Sequence, residues 1–260
     1  KGNWNAGSGP EVAQIPLLFW FCRNPGLALP LIALQYHEVK LKFNWNGKTA
    51  GPDCSVLCDY IYLDTDERRR FAQVSHEYLI EQVQEQSESL TKSAANNIRL
   101  NFNHPVKELI WNVGTVTPAS SLFTDAPDAF DFTGKLQLNG HDRFSEQKQE
   151  YFCLRQPLDY HTSVPGSNMS TAENPSYNYD AQGANGAEPT LRQGNVVADF
   201  KGLVGLYSFA LKPEEHQPSG TCNFSRIDNA KLILTPGEIG DNKEVVVYAV
   251  NYNVLRIMSG

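Results

Sequence analysis

An antiparallel β-sandwich of about eight to ten strands is the fold class that this 260-residue sequence predicts. Two alternating patterns and one long terminal run carry that expectation. Val39, Leu41, Phe43 and Trp45 alternate with Lys40, Lys42 and Asn44, and Ile98, Leu100 and Phe102 alternate in the same way. A period of two turns one face of a strand toward a core. The run from Glu244 to Ile257 is long and rich in Val and Tyr. No helical segments alternate with these runs, which excludes a parallel α/β sheet and leaves the jelly roll as the common eight-stranded solution.

The elements follow in order. Residues 1–14 are rich in Gly, Asn and Ser and read as a linker or tail. Ile15 to Phe21 is a short β-type run that ends at an Asn24-Pro25-Gly26 turn. After the strand at 39–45, Val56 to Leu63 is a further strand candidate. Thr65 to Arg70 reads as one helical turn, with Asp66 and Glu67 ahead of three arginines in the order the helix dipole favours. Tyr78 to Val83 fits either a strand or a helix. The strand over 98–102 is interrupted by His104-Pro105 before the next one, Val106 to Val113. Lys135 to Leu138 runs into Asn139-Gly140, a strong hairpin signal. Leu203 to Leu211 is β-type, and Ala230, Leu232 and Leu234 share one face of a later strand. Two connections are long, 114–133 and 162–195. The second is crowded with Gly, Asn, Ser and Pro, and it is expected at an exterior, protease-sensitive end of the sandwich.

Composition excludes several functions. Apolar residues make up 41 % and charged residues 20 % of the chain, a globular balance. The formal charge of −7 offers no domain-wide positive field, so no direct nucleic-acid binding is expected. Five cysteines (Cys22, Cys54, Cys58, Cys153, Cys222) are few and odd in number, which fits reduced thiols in a cytosolic setting. The apolar stretch 15–36 is broken by Arg23, Asn24, Pro25, Gly26 and Pro30, so no membrane insertion is expected there. The chain opens with Lys1 and stops at Gly260 directly after a strand-like run, so it is expected to be part of a longer polypeptide.

Motifs for catalysis are missing. His37-Glu38 and His76-Glu77 lack the second histidine that would complete a zinc helix. Cys54 and Cys58 have no partner pair at zinc spacing and read as plain thiols. Neither a G-x-S-x-G elbow nor a Walker loop is present, and no H-x-H pair suggests a metal-binding cupin. The expectation is therefore no catalytic residues, no metal and no cofactor. Asn168 and Asn223 open N-x-[ST] triplets and are the candidate glycosylation sites, a number close to background. Asn168 lies in the long polar connection, and Asn223 begins a strand.

Six segments resemble one viral family. LVGLYSFALKPEEHQPSGTCNFSRIDNAKLIL (203–234) resembles a C-terminal signature of the major capsid proteins of nucleocytoplasmic large DNA viruses. IPLLFWFCRNPGLALPLIALQYHEVKLKF (15–43) is similar to the lead-in to their second jelly roll, and CDYIYLDTDERRRFAQVSHEYLIEQVQ (58–84) to the following strand and short helix. LNFNHPVKELIW (100–111), NGHDRF (139–144) and VYAVNYNVLRIMSG (247–260) match in order. Phycodnaviruses and their mimivirus-like cousins are the nearest relatives by this resemblance. It implies that residues 15–260 form the C-terminal jelly roll of a double jelly-roll protein whose first jelly roll is missing. It further implies a homotrimeric, pseudo-hexagonal capsomer within an icosahedral virion. Neighbouring capsomers and minor capsid proteins would be its partners, with assembly in the host cytoplasm. The reading from another class is a carbohydrate-binding, lectin-like jelly-roll module, discriminated by glycan binding in a monomer. A weaker third is a cupin-like enzyme, tested by metal analysis.

Overall fold

The computed structural model describes residues 16–43, 55–92, 94–115, 132–162, 204–237 and 243–258. Trp45, Cys54, Asn168, the linker at 1–14 and the connection at 163–195 lie outside them. The chain divides into two compact units, Lys1–Glu81 with Val254–Gly260, and Gln82–Asn253.

In the first unit, α1 (Thr65–Gln73) forms where the charge order places it. Asp64 caps it, its carboxylate accepting from the Asp66 amide at 2.9 Å. Asn24 caps a 3-10 turn at Pro25–Leu27 by accepting from the Gly26 amide, the turn read from the sequence. The period-two segments before α1 behave differently from expectation. Residues 16–19, 39–43 and 55–63 adopt no regular structure, and Trp20–Cys22 forms a 3-10 turn where a strand was expected. Val39 is 50 % and Phe43 45 % exposed, and Leu57 and Tyr62 exceed 90 %. A strand needs a neighbour for its backbone hydrogen bonds, and none of these residues belongs to a strand of either described sheet.

In the second unit, ten described strands build two sheets, β1 and β10 each contributing also to the first unit. The strands are β1 (His76–Ser89), β2 (Asn96–Arg99), β3 (Pro105–Thr115), β4 (Phe132–Leu138), β5 (His141–Asp142) and β6 (Gln147–Lys148). After α2 (Gln156–Tyr160) come β7 (Val204–Ser208), β8 (Cys222–Asn223), β9 (Ala230–Pro236) and β10 (Lys243–Ile257). One sheet has the order β1-β10-β3-β7 with β8 on β3; the other runs β2-β9-β4-β5 with β6 on β4. Successive long strands therefore change sheets at each step, and the last strand returns beside the first. That is the connectivity of a jelly roll. The ambiguous run 78–83 is strand, as part of β1.

Register places the core. Leu136 lies opposite Leu232, which in turn faces Ile98, while Trp111 faces Val247 on one side and Gly205 on the other. These residues are buried together with Leu109, Leu234, Val245 and Ala249, and Leu100 and Phe102 continue the face of Ile98. A Cβ on Gly205 would sit 2.3 Å from the Trp111 indole, so the ring lies where only glycine leaves room. Asn139 and Gly140 take φ of 51° and 83°, the left-handed pair of a type I′ turn, and close the β4–β5 hairpin as their sequence predicts.

Sequence patterning did not reveal the π-helical turn Tyr151–Arg155 that leads into α2. It drops Phe152 into the core, where its ring meets Trp111 edge-on at 5.2 Å and stacks on Phe132 at 6.0 Å.

Candidate functional site

Both flanks of the sandwich are closed by glutamine side chains. On the β1 flank, Gln84 Nε2 donates to the Asn103 carbonyl at 2.7 Å, and Oε1 accepts from the Asn103 amide at 3.1 Å. Gln86 repeats the pattern two residues on, donating to the Arg99 carbonyl and accepting from the Asn101 amide. Each primary amide thus stands in for a peptide group and pairs with the chain running from β2 to β3. On the β7 flank, Gln156 Oε1 accepts from the outward Ser208 amide at 3.0 Å, and its Nε2 donates to the Tyr151 hydroxyl. Covering an edge this way removes a template for unwanted strand addition.

Between β3 and β10 the register shifts at Val250/Asn251, where Val250 faces Glu108 but Asn251 faces Val106. Lys107 is the extra residue of this bulge. Its carbonyl accepts from both the Phe209 and Ala210 amides, and its ammonium lies 5.4 Å from the Tyr252 ring centre. Asn251, fully buried, accepts from Gln84 at 2.9 Å.

Beside this, His161 follows the last turn of α2 and lies between two carboxylates. Nε2 is 2.9 Å from Glu108 Oε2 on β3, and Nδ1 is 3.0 Å from Glu214 Oε1 in the Lys212–Glu215 turn. The other oxygen of Glu214 accepts from the Thr162 amide at 3.2 Å. The hydrogen bond to Glu108 raises the His161 pKa above the ordinary histidine value against an opposing desolvation, and Glu214 adds to the rise.

Sequence-selected residues take plainer places. His76 stacks on Phe71 and bonds its carbonyl at 2.9 Å, while Glu77 pairs with Arg256. Glu38 pairs with Lys40. Cys58 is exposed; Cys153 is buried, with its thiol pushed up to about 12 by desolvation. Among the described residues no three His, Cys, Asp or Glu side chains converge on a cation site, and no helix is long and apolar enough to cross a membrane.

Asn223 Oδ1 accepts from the Ser225 amide at 3.1 Å, and Ser225 Oγ accepts from the His104 amide at 2.8 Å. His104 has a φ of 67°, and its carbonyl accepts from the Phe224 amide. The whole triplet Asn223-Phe224-Ser225 therefore holds the left-handed corner before β3. Neither the His161 cluster nor the glutamine closures follow from the sequence, because they join segments 13 to 167 positions apart. The interleaved amides of Gln84 and Gln86 were the one local hint.

Residues 67–184 and 201–260 match the family described as large eukaryotic DNA virus major capsid protein, and residues 7–64 match the major capsid protein N-terminus family. The chain is 53 % identical over 254 residues to the major capsid protein of Pyramimonas orientalis virus, covering 95 % of this chain and 59 % of the relative. To that of Paramecium bursaria Chlorella virus 1 it is 41 % identical over 317 residues, covering 95 % and 64 %. Among solved structures, a quasi-atomic PBCV-1 virus capsid is similar with a TM-score of 0.62 and 36 % identity, over 95 % of this chain and 68 % of that one. The chain thus spans about 59–64 % of the length of these curated relatives.

Proposed function

This chain belongs to the family of large eukaryotic DNA virus major capsid proteins, and from that premise we propose that it serves as structural material of an icosahedral viral shell. One observation carries the reading. The family match coincides with a sandwich whose strands alternate between sheets and whose flanks are closed by side-chain amides. Such a unit is stiff, and the main-chain groups that these amides cover are withdrawn from uncontrolled strand addition, which suits a protein packed at high density.

In this reading residues 15–260 are the C-terminal jelly-roll portion of a double jelly-roll protein, with most of both sheets built by the unit Gln82–Asn253. The apolar side chains exposed between Leu18 and Tyr62 are those that pack against the remainder of a longer polypeptide, consistent with the match of 7–64 to the N-terminus family. Three copies form a closed trimer, self-limiting by symmetry, which then meets neighbouring capsomers and minor capsid proteins. Assembly in the host cytoplasm fits the free thiols of Cys22, Cys58 and Cys222. Asn168 is the better glycan acceptor of the two triplets, because the Asn223 triplet is engaged in the corner at His104.

Native mass spectrometry of the full-length protein tests this. A trimer is expected; a monomer that binds free glycan would replace the shell reading with the lectin-like one.

A further inference from the structure

We infer that His161 is a proton-controlled latch that ties the Lys212–Glu215 turn and the Thr162 amide to β3, and that releases the turn, but not β3, when the ring loses its charge. The geometry begins with the ring. Each nitrogen faces a carboxylate oxygen, at 2.9 Å and 3.0 Å. A carboxylate only accepts, so both contacts are hydrogen bonds only while both ring nitrogens carry protons, that is, in the imidazolium. A neutral ring has one N–H and one lone pair, so one carboxylate must lose its donor.

Burial decides which one. The Glu108 side chain is 8 % exposed and that of Glu214 is 39 % exposed. Stripping the donor from Glu108 would leave a buried charge unpaired, whereas Glu214 can turn to water. The neutral ring therefore keeps Nε2–H on Glu108 and frees Glu214. Because Glu214 also accepts from the Thr162 amide, its departure removes that bond too. Other charged groups of the packed elements are engaged elsewhere: Asp159 of α2 with Arg155, Lys212 of the turn with Glu215, and Lys107 of β3 over the Tyr252 ring.

The sign follows from the raised His161 pKa. The latch is fully closed below the ordinary histidine value of about 6.5 and opens as pH climbs through the higher folded value. Desolvation acts the other way, yet its bonds to Thr162 and His161 hold the Glu214 carboxyl below its usual value, so Glu214 remains an acceptor over the range in which His161 titrates.

The test is a pH titration of the 260-residue chain by NMR, with the His161 ring signals read beside hydrogen exchange of the Thr162 amide, corrected for intrinsic rate. His161 is expected to titrate above free histidine, with Thr162 protection falling by up to about fivefold along the same curve. Glu214→Gln is expected to abolish the pH-linked change at Thr162 while His161 keeps a raised pKa through Glu108. A His161 that titrates at or below the free value overturns the inference, as does Thr162 protection that ignores the titration. An unchanged Thr162 response in Glu214→Gln would do so as well.

Discussion

Gln84 pairs its side-chain amide with the main chain of Asn103 in both directions, donating at 2.7 Å and accepting at 3.1 Å. The same Nε2 also reaches Asn251 Oδ1, the buried side chain at the β3–β10 bulge. One amide thus links β1, the β2–β3 connection and β10.

Gln84→Ala removes three hydrogen bonds and leaves Asn251, fully buried, without this donor. A loss of about 1–3 kcal/mol in chemical denaturation is expected. Gln84→Glu keeps the acceptor but sets a carboxylate against the Asn103 carbonyl and Asn251 Oδ1, so it is expected to cost at least as much as alanine. An isosteric glutamate as stable as the parent would show that the donor contributes nothing.

Gly205→Ala tests the close approach of Trp111. The added methyl meets the indole at 2.3 Å, and the ring is wedged between this backbone and Phe152. Overpacking of this kind costs about 1–3 kcal/mol, expected here as a lowered denaturation midpoint with an unchanged m-value.

Phe152→Ala is expected to cost about 3–5 kcal/mol, since the ring is fully buried among Trp111, Phe132 and Phe144. The large effect would come from a residue that no period marks.

Thiol labelling separates the cysteines by environment. Cys153 is buried and its thiol is pushed up to about 12, so almost no thiolate exists at pH 8, whereas Cys22 and Cys58 are exposed. Iodoacetamide followed by peptide mapping is expected to mark Cys22 and Cys58 in the native chain and Cys153 only after unfolding. Native labelling of Cys153 would contradict the packing around the π-helical turn.

What the sequence shows of this fold depends on where each strand finds its partners. Ile98, Leu100, Phe102, Ala230, Leu232 and Leu234 alternate and are all buried, because the strands that flank them are present in the same unit. Asn139-Gly140 is legible because a type I′ turn depends on two local φ values. Phe152 sits in an irregular helical turn with no period to detect. His161, Glu108 and Glu214 are ordinary residues in the linear chain, and only the jelly-roll crossing brings them together. Val39, Leu41 and Phe43 show the opposite case: a clean period of two without a strand in the described residues.

That last contrast supplies a prediction that tests the proposed organisation. Leu41 is half-exposed in this chain, and residues 39–43 form no strand among the described residues. Leu41→Ala therefore removes little buried surface here, and a loss below about 1 kcal/mol is expected for the 260-residue chain. The alternation with Lys40 and Lys42 nevertheless marks one apolar face, which a partner strand in a longer polypeptide would bury. In the full-length capsid protein the same substitution is then expected to cost about 2–5 kcal/mol, the range for a leucine truncated in a packed core. Parallel denaturation of the two lengths, each with and without the substitution, gives the answer directly. Equal small losses in both would mean that this face stays at the surface and that the segment does not complete a sheet. A large loss confined to the longer protein is the outcome that the exposed apolar side chains of 16–62 lead us to expect.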